Sequence, residues 1–135
     1  MRAQLAVLVT GLGLLCSAVP AVAHHAFAAE YDAKKPVTVT GVVTKVEWTN
    51  PHARFYVDGT NEKGQALTWN FELASPNSLN RHGWTRKSVN VGDKVTVKAF
   101  LAKQSDDPGK ANALEVTLAD GKKVFAGSSV GDVAQ

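Results

Sequence analysis

The sequence predicts a small all-β domain with one short helix, arranged as a five-stranded OB-like barrel; an SH3-like barrel or an open β-sandwich fits the same pattern less fully. Three alternating apolar runs precede a compact helix signal and two follow it, the order of strands around the helix in OB-type barrels. The first run is long and carries Gly41 within it, where a glycine lets a strand bulge or coil sharply. The only cysteine is Cys16, so closure of the core rests on packing alone.

Each element has its own signal. Val37 and Val39 share one face of the first strand and Val42, Val46 and Trp48 the other, with a crossover expected at Gly41. Ala53, Phe55 and Val57 alternate with Arg54, Tyr56 and Asp58, and Asp58-Gly59 opens a polar turn expected to run to Gln65. Leu67, Trp69, Phe71 and Leu73 then oppose Thr68, Asn70 and Glu72, the period of two that marks a half-buried strand. Ser75-Pro76 changes the pattern, because serine caps a helix and proline is tolerated in its first turn. A helix over 76–82, stopped by Gly83, follows. Val95, Val97, Ala99 and Leu101 face inward from the fourth strand, and 104–110 reads as a loop. Leu114, Val116 and Leu118 form the fifth strand, folded back at Asp120-Gly121 onto 122–125 as a hairpin. The expected core unites Leu67, Trp69, Phe71, Val95, Val97, Leu114 and Val116.

Outside this domain, residues 1–23 read as a signal peptide: a basic start at Arg2, an apolar run over 5–15, and Ala21-Val22-Ala23 as the cleavage junction. The run is shorter than the ~20 apolar residues a membrane span needs, so no span is expected after the signal is removed, and a periplasmic or secreted location follows. Residues 24–36 are expected to be a loosely held N-terminal arm, 37–125 the barrel, and 126–135 a flexible tail. Loss of Arg2 takes the formal charge from +3 to +2, too small an excess to require an anionic partner.

Three constellations could carry chemistry. Cleavage after Ala23 would give His24 a free amine beside its imidazole, and with His25, His52 or His82 these nitrogens would suit copper(II). The segment from Trp48 to Tyr56, with Asn50, His52 and Arg54, offers stacking surfaces and donors beside the first inter-strand turn; Asn50-Pro51 is equally a natural turn. On the helix, Arg81 and His82 could meet an anion, with Leu79 pointing inward and Trp84 packed beneath. A nucleophile relay of His52, Asp58 and a serine is the enzymatic alternative, but H-E-x-x-H is missing from the sequence and the only cysteine, Cys16, lies within the expected signal peptide. Nucleic acid is not expected as a partner, since Trp69 and Phe71 lie on the apolar face and leave few stacking platforms.

His24-His25-Ala26-Phe27 near Tyr31-Asp32, Gly41-x-Val43-x-x-Val46-x-Trp48-x-Asn50-Pro51-His52, Trp69-x-x-Glu72-x-x-Ser75-Pro76, Arg81-x-Gly83-Trp84 and Gly92-Asp93-x-Val95 together resemble a DUF6152-like family of exported bacterial proteins. The family has no established activity. The resemblance implies export and a small β-domain, and it directs attention to His24, His25, Trp48, Asn50, His52, Trp69, Glu72, Arg81 and Trp84. The reading that results is a periplasmic, non-catalytic binding or accessory protein whose ligand is a transition metal such as copper or a small envelope component, with an envelope protein as the alternative partner. A hydrolase is the competing class.

Overall fold

A computed structural model describes residues 27–125. The elements are β1 (Tyr31–Glu47), β2 (Arg54–Asn61), β3 (Ala66–Glu72), helix α1 (Pro76–Arg81), β4 (Lys94–Ala102), β5 (Lys110–Leu118) and β6 (Lys123–Phe125); residues 27–30 are also helical. The fold is therefore mostly β with short helical turns. All six strands belong to one sheet in the order β3-β2-β1-β4-β5-β6, and β3 pairs a second time with β5. That extra pairing is parallel, Asn70–Glu72 against Lys110–Asn112, whereas the other pairings are antiparallel. Pairing thus runs from β1 through β2, β3, β5 and β4 back to β1, and the sheet is ring-like rather than a sandwich of two separate sheets.

The core lies inside this ring. Val39, Val43, Phe55, Val57, Trp69, Phe71, Leu79, Val97 and Val116 are fully buried, each apolar side chain contributing roughly 1.5–3 kcal/mol on removal from water. Phe55 and Phe71 are direct cross-strand partners with ring centroids 5.3 Å apart, and the Trp69 Nε1–H donates to the Gly59 carbonyl at 3.0 Å. Ser75 caps α1, its hydroxyl accepting from the Ser78 N–H. Gly83, at φ +84, reverses the chain so that the Trp84 N–H donates to the Leu79 carbonyl at 3.0 Å.

Four expectations need correction. β1 begins at Tyr31 rather than Val37, because Tyr31 is buried and pairs with Ala102 across a register shift that lets the charged 32–35 segment stay outside. The faces of β1 do not cross at Gly41: Val43 is buried and Val42 exposed, and the register slips between Val43 and Lys45. Gly41 is instead a close-approach glycine, since a Cβ there would lie 2.5 Å from the Gly59 Cα and closer still to the Asp58 carbonyl oxygen. β2 runs on to Asn61, so the turn is confined to 62–65, where the Gly64 N–H donates to the Asn61 carbonyl. Leu114 is not a core residue: Lys98 pairs with Glu115 and Ala99 with Ala113, which leaves Leu114 as the extra residue of a bulge and gives the core Ala111, Ala113 and Val116.

A buried polar cluster as the candidate functional site

Aligned residues on neighbouring strands share a face of the sheet. Arg54 is aligned with Glu72, Glu72 with Asn112, and Asn112 with Phe100. These four therefore form a band on the face opposite Phe55, Phe71 and Ala111. The start of the described chain lies across this band as a strap: Phe27 meets the Phe100 ring edge-on at 6.2 Å and stacks on Tyr31 at 5.7 Å. Lys103 ties the strap down through its N–H to the Glu30 carbonyl at 2.8 Å and its Nζ to the Ala28 carbonyl. Lys110 Nζ lies 3.6 Å from a Glu30 carboxylate oxygen and 5.8 Å from the centre of the Tyr31 ring.

Beneath the strap the chemistry is polar. The Glu72 side chain is only 8% exposed and pairs with the Arg54 guanidinium, itself 27% exposed. Arg54 Nη2 donates to Glu72 Oε2 and Nη1 to Asn70 Oδ1 at 3.3 Å. Asn70 then donates through Nδ2 to Asp107 Oδ2 at 3.4 Å and through its N–H to the Gly109 carbonyl at 2.9 Å. The cluster thus joins β2 and β3 to the segment between β4 and β5. Burial, reinforced by the neighbouring Glu72 carboxylate, holds the Tyr31 hydroxyl well above the ordinary phenol range. That hydroxyl is buried beside Glu72, and among the described residues neither it nor the buried Asn112 Oδ1 completes a hydrogen bond of normal geometry.

The sequence-predicted residues divide. Arg54 lies in the cluster, bonded to Glu72 and Asn70 rather than to water as a lone strand arginine would be. Tyr56 flanks it, its hydroxyl donating to Glu47 Oε2 at 3.3 Å and its ring facing Lys45 Nζ at 5.2 Å. Trp48 packs against the core; Asn50 and His52 are exposed, and the Asn50-Pro51 peptide is cis. His52 Nδ1 donates to the Leu73 carbonyl at 3.2 Å and His82 Nδ1 to the Ser78 carbonyl at 2.9 Å. In its neutral form the His52 ring then turns Nε2 outward as an acceptor. Arg81 is exposed in the last turn of α1.

Trp84 packs beneath the helix as expected: the turn at Gly83 folds its indole into the core, where it is 2% exposed. His52 and Asp58 are not brought together. Arg54 to Asp58 alone spans about 13 Å of strand at ~3.3 Å per residue, and Asp58 accepts from the Thr68 hydroxyl at 2.6 Å. His24 and His25 lie outside the described residues, and among those residues no group of three or more His, Cys, Asp or Glu is placed to hold a metal ion. Sequence reasoning missed Asn70, Asn112 and Asp107, whose polarity in a strand or loop is unremarkable until the strap that covers the band is seen. Glu72 and Tyr31 were visible only as motif positions.

The model of a family described as a family of unknown function, DUF6152, matches residues 10–112. No curated protein and no solved structure matches the chain. Among the described residues, no helix is long and apolar enough to cross a membrane.

Proposed function

The chain belongs to the DUF6152 family, and on that premise we propose that it is an exported, non-catalytic binding or accessory protein of the periplasm, with an OB-type architecture and a small polar envelope ligand. The ring of pairings with a helix between β3 and β4 supports the OB assignment. One observation carries the binding assignment: on the outward face of a β-domain, where water would ordinarily be the partner, Glu72 is covered and paired with a half-buried Arg54. Burying a pair of charges costs several kcal/mol per ion before their attraction offsets it. A domain of this size has little stability to give away, so a buried pair flanked by unsatisfied polar atoms is better explained by ligand recognition than by folding.

Native mass spectrometry of protein released gently from the periplasm tests this reading. A stoichiometric non-protein mass, lost in Arg54→Met, is expected. Bare protein from both would overturn it, and a mass increment of copper would move the site to the set His24, His25, His52 and His82.

A further inference from the structure

We infer that Tyr31, Glu72 and Asn112, beneath the N-terminal strap, form a site for an ammonium-type guest, the –NH3+ end of a small primary amine. The inference rests on the binding reading above and names the chemistry of its ligand.

Three observations converge on it. Among the described residues, the buried side-chain atoms left without a hydrogen bond of normal geometry are the Tyr31 hydroxyl, beside the Glu72 carboxylate, and Oδ1 of Asn112, the residue aligned with Glu72. Asn112 Oδ1 can only accept, the carboxylate can only accept when ionised, and the phenol brings a single O–H donor to set against both of them and its own lone pairs. What is missing is therefore a donor. The Arg54 donors on this side are engaged by Glu72 and Asn70, and an anionic guest would face both the carboxylate and the amide oxygen. A guest with several N–H donors and a positive charge matches all three oxygens at once.

The chain also shows which cation the cluster accepts. Lys110 carries its own ammonium over the Tyr31 ring and against Glu30, and an aromatic face attracts such a charge. Arg54 is the more exposed member of its pair, so it can turn its charge toward water and leave Glu72 to the guest. Tyr31 and Phe27, through the Phe27–Phe100 edge contact, supply an apolar wall suited to the carbon bearing the nitrogen. An oxygen-only donor set with no imidazole or thiolate does not favour a transition metal.

The experiment is calorimetric titration of the purified exported protein with methylammonium chloride, against sodium and potassium chloride at equal ionic strength. One saturable equivalent is expected for methylammonium alone. Asn112→Leu, which removes the unpartnered oxygen at similar volume and should fold at least as well, is expected to weaken binding at least tenfold, and Glu72→Gln likewise. Identical heats for methylammonium and sodium, an equal response to potassium, or undiminished binding in Asn112→Leu would each overturn the inference. The two readings fail separately: a native ligand lost in Arg54→Met without any methylammonium response defeats only the ammonium assignment, whereas bare protein at every step of the native measurement defeats the binding reading.

Discussion

Arg54 and Glu72 are partners that neither residue's own position announces. Removing the arginine would leave a carboxylate in a place water barely reaches, and a broken buried pair commonly costs about 3–5 kcal/mol. Because Arg54 is itself partly exposed, Arg54→Met is expected to cost about 2–3 kcal/mol. The double variant with Glu72→Leu should recover most of that loss, as apolar replacements of buried pairs often do. Denaturant unfolding of the three variants checks the cycle. Tyr31 makes a second residue-scale prediction. Its pKa is raised in the folded chain above the ordinary 10.0, so folding favours the protonated phenol. The stability this confers is fully present below pH 10 and is lost as pH rises through the folded value. Unfolding measured from pH 8 to 12 should show a steeper alkaline loss in the parent than in Tyr31→Phe. This cluster was only half legible in the sequence. Alternation put Arg54 and Glu72 on the polar side of their strands, but polarity of that kind is read as contact with solvent. Only the return of Tyr31 across the outer face turns it into a buried site.

The elements were more legible than the site because their signals are local. Ser75-Pro76 and Gly83 bound α1 as their backbone preferences require, and Ser75→Ala should cost about 1 kcal/mol, read as a lower unfolding midpoint. The strands that failed to match did so at register slips. The alternation that turns Val37, Val39 and Val43 inward runs unbroken through Gly41, and an extra residue inverts the inward face only beyond it, so Val46 returns to the core side after the slip and Leu114 falls outside the core. Neither slip has a composition of its own to reveal it. Gly41 is the position where sequence drew attention for the wrong reason. Its lack of a side chain admits the β2 backbone, with Gly59 directly opposite. Gly41→Ala should destabilise by about 1–3 kcal/mol, as overpacking does, since the atoms met are backbone that cannot rotate away. Gly64→Ala makes a useful contrast: nothing lies near its Cβ, and its cost comes from φ +78 alone.

At the scale of the whole molecule, β3 is the seam. It pairs with β2 on one side and β5 on the other, and its Trp69 and Phe71 face the core while Asn70 and Glu72 face the cluster. One strand therefore supplies both the packing and the candidate site. Trp69→Ala should cost about 3–5 kcal/mol, a large part of the 5–15 kcal/mol typical of a domain, and circular dichroism should find little folded protein. The outer-face substitutions should leave the fold in place. That separation allows the central claim, that the covered band around Arg54 and Glu72 is where the chain binds, to be tested without unfolding it. The direct measurement is amide NMR of the purified protein during titration with methylammonium. Shifts confined to Tyr31, Arg54, Glu72, Asn112 and their strand neighbours are the predicted result. An unperturbed band, or shifts centred instead on His52 and the α1 end at His82, would contradict it.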